Sequence, residues 1–129
     1  MASTPEFVKT PRIQTVNVSS ANTAIDGTGT ITELIAGAVG GTRVLEIAVK
    51  CAATSAAANV NIFLTTDGST YRLFDTISVA AVTTGNTTPT NRVRATYPNL
   101  VLASASHRVG ITTTIAQSTN VIALGGDLA

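Results

Sequence analysis

The reading of the fold turns on residues 59–79: Asn59-Val60-Asn61-Ile62-Phe63-Leu64-Thr65-Thr66-Asp67-Gly68-Ser69-Thr70-Tyr71-Arg72-Leu73-Phe74-Asp75-Thr76-Ile77-Ser78-Val79. Val60, Ile62 and Leu64 alternate with other residues, which is the period of a strand with one buried face. Thr66-Asp67-Gly68-Ser69 then supplies a tight turn, with Gly68 free to take the positive φ that such turns need. Tyr71 to Val79 returns as the hairpin partner. The alternation puts Tyr71, Leu73, Asp75, Ile77 and Val79 on one face, with Leu73, Ile77 and Val79 toward the core.

Working outward, the same pattern repeats. Upstream, Arg43 to Cys51 places Leu45, Ile47, Val49 and Cys51 on one side and Glu46, Ala48 and Lys50 on the other. Thr30 to Ala36 and Ile13 to Val18 read as earlier strands, separated by the turn Asp26-Gly27-Thr28-Gly29 and by Gly37, Gly40 and Gly41. Downstream lie Asn91 to Tyr97, ended by Pro98, then Asn99 to Ala103, His107 to Thr114 with Val109 and Ile111 inward, and Asn120 to Leu124. The Ala-rich piece from Ala52 to Ala58 is too short for a lone helix and reads as a loop. Thr83 to Thr90 is a polar, exposed loop.

Composition agrees. Val, Ile and Thr make 46 of the 129 residues, against 22 for Leu, Glu, Lys, Gln, Arg and Met together, a balance that favours strands over helices. About eight or nine strands at roughly ten-residue spacing predict one all-β domain, an antiparallel, jelly-roll-like β-sandwich over residues 13–129. Residues 1–12 read as an extended arm, because Pro5 and Pro11 oppose regular pairing. Phe7 and Val8 lie between those prolines, and two readings stay open: the arm docks on the domain or on a neighbour, or it frays as a free terminus.

The charge balance narrows function. Only 12% of residues are charged and the net charge is +1. The eight Lys and Arg are scattered, with Arg92 and Arg94 the one close pair, so no basic stripe matches a phosphate backbone. No run approaches about 18 apolar residues, which argues against a membrane span. No apolar signal core opens the chain, so synthesis in the cytoplasm is expected.

No constellation of acid, base and nucleophile emerges, so no enzyme is expected. His107 is a lone histidine, and with the lone Cys51 it cannot close a zinc site. Cys51 suits a buried thiol, and His107 an exposed or capping role. Asp67 fits an Asp-Gly turn, and Asp75 fits a partner for Arg72 or another strand charge. Gly27 and Gly29 are followed by Thr32 rather than a third glycine, and no helix pattern follows, so no dinucleotide site is expected. No catalytic, metal or cofactor site is expected.

The stretch Val60 to Ile77 resembles a hairpin of small virion proteins of tailed bacteriophages. Its marks are an apolar strand, Asp-Gly, a small polar residue, an aromatic, and an Arg-Leu strand ending in an acid and Ile. The series Leu100-Val101-Leu102, Arg108-Val109-Gly110-Ile111-Thr112-Thr113, Asn120-Val121-Ile122-Ala123 and Gly125-Gly126-Asp127-Leu128 is similar to the closing strands of the same proteins. Ser104-Ala105-Ser106-His107 departs from that pattern, which has a Gly and an aromatic. The resemblance implies a capsid decoration or cement protein on the virion surface, made in the host cytoplasm. Its partners would be the major capsid protein and copies of itself, a trimer first, with neither nucleic acid nor membrane. Phe7, Val8, Arg12, Arg92 and Arg94 are the expected capsid or subunit contacts. The alternative is a tail, baseplate or fibre-associated domain, with carbohydrate binding as one form that role could take.

Overall fold

The computed structural model describes residues 8–90 and 92–129. They contain nine strands: β1 (Thr10–Val18), β2 (Thr32–Ala36), β3 (Thr42–Cys51), β4 (Ala58–Thr65), β5 (Arg72–Val79), β6 (Arg92–Thr96), β7 (Val101–Leu102), β8 (Arg108–Thr113) and β9 (Thr119–Asp127). They form two antiparallel sheets. Sheet A runs β1-β9-β3-β6 with β7 added beside β3, and sheet B runs β2-β8-β4-β5.

This order is a jelly roll. The chain folds on itself as a long hairpin whose arms pair outermost first: β1 with β9, β2 with β8, β3 with β6, and β4 with β5. Rolling that hairpin sends alternate pairs to opposite sheets. The innermost link is the Asp67–Gly68 turn. Gly68 has φ +82°, and the Asp67 carboxylate accepts the backbone N–H groups of Ser69 at 2.9 Å and Thr70 at 2.8 Å. Those two bonds, joined by the hydroxyl of Thr65, hold the Asp67 carboxyl well below the usual carboxylate range.

The core lies between the sheets. Val44, Ile47, Val49 and Val121 from sheet A meet Val60, Ile62, Val109 and Ile111 from sheet B, all essentially sealed from solvent. Cys51 is a buried free thiol at its margin.

Three expectations from alternation change. Leu73 is exposed rather than in the core, because Phe74 is an extra residue in β5: Ile62 pairs with Asp75, and Phe63 with Leu73. A bulge of this kind shifts the parity of every residue beyond it. Leu45 yields its core place to Val44 for the same reason, an irregularity between Val44 and Glu46 in β3. Finally, β1 begins at Thr10, three residues before the boundary expected at 13, with Pro11 inside it opposite Gly126. Pro11 is tolerated because β1 is an edge strand, where a missing N–H breaks no ladder on the solvent side.

The outer faces of the two sheets differ. The outer face of sheet B is covered near its centre. Phe63 is fully buried although it lies outside the inter-sheet core, and Asn61 and Thr112 are also buried there. The segment 19–31 and Tyr71 supply the cover. Asn22 N–H donates to the Thr113 carbonyl at 2.8 Å. Gly110, paired with Phe63, has no room for a side chain: an added Cβ would lie 2.4 Å from Ile31 Cγ2 and 2.8 Å from Tyr71 Cε1. The outer face of sheet A has no such cover among the described residues.

Candidate interaction surface

The open face of sheet A is read off its register. Ile13, Thr15 and Asn17 of β1 stand opposite Leu124, Ile122 and Asn120 of β9. Ala48 and Lys50 of β3 continue the same rows to Arg94 and Arg92 of β6. Inward residues alternate with these: Val16, Val121, Val49 and Val93 form one row on the core side. The outward rows carry an apolar patch of Ile13, Ile122 and Leu124, with Ile13 68% exposed. Charged side chains flank it on the β3–β6 side. Arg94 pairs with Glu46 at 3.5 Å, and Lys50 Nζ donates to the Thr90 carbonyl at 2.6 Å. Arg92 is exposed.

The expected contact residues divide over this geometry. Arg92 and Arg94 both point out from the β6 edge of the open face. Arg12 is held inside the fold. Its guanidinium lies 3.1 Å from the Asp127 carboxylate and donates to the Ala36 carbonyl at 3.0 Å, while Thr42 donates its hydroxyl to the same carboxylate at 2.8 Å. That network ties β1, β2, β3 and β9 at one end of the sandwich. Val8 is half-buried in a notch left by Gly126, where an added Cβ would lie 2.7 Å from the Val8 side chain. Phe7 lies outside the described residues.

Sequence reasoning did not single out Ile13, Ile122 and Leu124. The signal for two of them was present, since Val121-Ile122-Ala123-Leu124 is apolar at both parities. That pattern marks a strand that is apolar on both faces.

Two further features face solvent. At the Arg12 end, Val39 is 90% exposed, and Val101 and Leu128, whose side chains lie against Gly41, are exposed as well. At the β5–β6 side a cleft of about 260 Å³ is lined by Phe74, Tyr97, Pro98, Asn99 and Leu100. The bulge turns Phe74 outward, and its ring packs on Tyr97 with centroids 5.3 Å apart. The Tyr97 hydroxyl donates to Asp75 at 2.8 Å, so the partner of Asp75 is a phenol rather than Arg72. Burial, and then this bond to Asp75, hold the Tyr97 phenol protonated far above its usual range.

The polar residues weighed for chemistry have local roles. His107 Nδ1 accepts the Ala103 N–H at 3.2 Å, capping the turn before β8. Among the described residues no three His, Cys, Asp or Glu side chains stand together as metal ligands. None of the helices needed to cross a membrane as a long apolar span is present among them. No protein-family model matches the chain, and none of the curated proteins compared with it matches.

Proposed function

We propose that this chain is a structural component of a tailed-phage particle, a decoration or cement protein that sits on the outside of the shell and stabilises contacts between capsomers. The observation that carries this reading is the open face of sheet A. An apolar patch on β1 and β9, bordered on its β3–β6 side by Glu46, Lys50, Arg92 and Arg94, suits a protein contact in which apolar area supplies the binding energy and the neighbouring charges supply register. The low overall charge lets many copies lie side by side with little mutual repulsion. Weak single contacts then act together across a shell. β1 and β6 are the open edges of the same sheet, and association around a symmetry axis, a trimer first, would cover them.

The test is to mix the purified protein with undecorated shells and sediment them, with light scattering for the oligomer. The expected result is saturable co-sedimentation by an oligomer of defined size. Failure to co-sediment overturns the reading.

A further inference from the structure

The edges of the two sheets differ as much as their faces. Sheet A ends in β1 on one side and in β6 and β7 on the other, and sheet B ends in β2 and β5. A sheet edge presents a row of unpaired backbone N–H and C=O groups, a template for one more strand. Most of these edges carry a feature that discourages such pairing. β2 has a bulge between Glu33 and Ile35, and β5 has its extra residue at Phe74. β6 exposes Arg92 and Arg94, and β7 has only two residues. β1 is guarded at its start alone, by Pro11 and by Arg12, whose charge is turned to Asp127. From Ile13 to Val18 it has no charge, proline or glycine, and its register with β9 is unbroken. Among the described residues only β9 pairs with the backbone of that stretch.

The chemistry of an edge asks for an extended strand, and the residues of this one select a second copy of itself. Antiparallel pairing about a two-fold axis sets each residue opposite one that points to the same side of the sheet. The register that uses most of β1 while leaving Pro11 outside puts Thr15 on the axis, facing the partner's Thr15. Ile13 then lies opposite the partner's Asn17, Gln14 opposite the partner's Val16, and Arg12 opposite the partner's Val18. No like charges stand opposite each other in that register. Ile13, Thr15 and Asn17 are already exposed on the outward side. The same operation on β6 would gather Arg92 and Arg94 of both copies on one face, and like charges across strands are destabilising. On β5 the bulge would break the alternation on both sides of the axis. β1 is thus the edge suited to pairing with itself, and isologous two-fold contacts are the commonest kind in homo-oligomers.

We propose that two copies of this chain join through β1, antiparallel, in one continuous sheet of order β6-β3-β9-β1-β1-β9-β3-β6. The inference does not depend on the shell reading, and it refines the oligomer. With β1 on a two-fold axis, a three-fold contact must use other surfaces, and the two together build an even-numbered assembly. The test needs no shells. The mass of the full chain is measured by sedimentation equilibrium at about 100 µM, where a contact of modest affinity is filled. The expected mass is an even number of copies. Thr15→Lys, which sets two ammonium groups against each other at the axis, is expected to halve it. Opposed Cα atoms in such a pair are about 4.5–5.5 Å apart, within the span of a disulfide. In oxidised glutathione, Thr15→Cys is therefore expected to form linked dimers on the order of tenfold faster than Thr96→Cys on the exposed β6 edge. The parent chain, with Cys51 buried, is the blank. This cross-link carries the test should Thr15→Lys fail to fold. A single-chain or odd-numbered mass overturns the proposal and leaves the shell reading standing. So does a mass that Thr15→Lys leaves unchanged, or cross-linking of Thr15→Cys no faster than that of Thr96→Cys.

Discussion

The two sheets of this sandwich share a core but differ on their outer faces. On sheet B, segment 19–31 and Tyr71 cover Phe63, Asn61 and Thr112. On sheet A, Ile13, Ile122 and Leu124 meet solvent. A covered face contributes to the stability of the chain itself. An open apolar face contributes little until something else lies on it. The same kind of residue therefore has two different consequences, set by which sheet it sits in.

The largest effect is expected at Phe63. Truncation to Ala leaves a cavity beneath the cover, which costs about 3–5 kcal/mol for a fully buried phenylalanine. Urea denaturation should show the midpoint falling with little change in slope. A loss below about 1 kcal/mol would mean that segment 19–31 is a loose flap, and the contrast between the faces would disappear.

How far the two faces were legible in the sequence follows from what alternation can register. Each of the nine strands overlaps a segment that β-branched alternation and turn residues mark out, though β1 starts earlier and β9 runs on through Gly125–Asp127, and Gly68 takes the expected positive φ. Alternation assigns a face only while the register is unbroken. One added residue at Phe74 and one irregularity at Val44–Glu46 were enough to misplace Leu73 and Leu45. Alternation also cannot say what lies beyond a face. Phe63 and Ile122 both sit between core-facing neighbours, and nothing local to either distinguishes the covered one from the open one. Deciding that requires the path of segment 19–31, a contact distant in sequence. The basic pair Arg92 and Arg94 was visible and does edge the open face. Arg12 was visible too, but its commitment to Asp127 depends on a partner 115 positions away.

Arg12 is expected to give the next largest effect, and it separates a tie within the fold from a contact on the open face. Arg12→Ala removes a charge-assisted bond to Asp127 and a bond to the Ala36 carbonyl. Both side chains are about one-fifth exposed, which moderates the loss to about 1–2 kcal/mol. A lower thermal midpoint with shell binding unchanged below it marks a tie. Unchanged stability with lost binding would move Arg12 to the contact surface.

The cover over sheet B should also respond to acid. Asp26 accepts the Thr28 hydroxyl at 2.6 Å and the Thr28 N–H at 3.1 Å, and these bonds lower its pKa below the ordinary value of 3.8. A carboxylate with a depressed folded-state pKa stabilises the fold above its unfolded pKa, and that contribution is lost as pH falls through the folded value. Hydrogen exchange corrected for intrinsic rates should therefore show amides near residues 26–28 losing protection below the usual carboxylate range. The ladder amides of β9 should keep theirs. Equal loss in both places would show that acid loosens the whole sandwich rather than the cover.

The smallest effect on folding is expected at Ile13, and it tests the open face most directly. Ile13 is 68% exposed and opposite Leu124, so replacing it with Ser removes little area that folding had buried. Stability should stay within about 0.5 kcal/mol of the parent chain. If the open face is where the protein meets a shell, the same substitution removes apolar area from that contact. Co-sedimentation should then weaken while the denaturation curve stays in place. Repetition sharpens this outcome: a small loss at each contact multiplies when several copies bind as one oligomer. Phe63→Ala should do the reverse, lowering stability while leaving the binding of the remaining folded molecules intact. Two variants with opposite outcomes would assign one outer face to holding the protein together and the other to joining it to its neighbours.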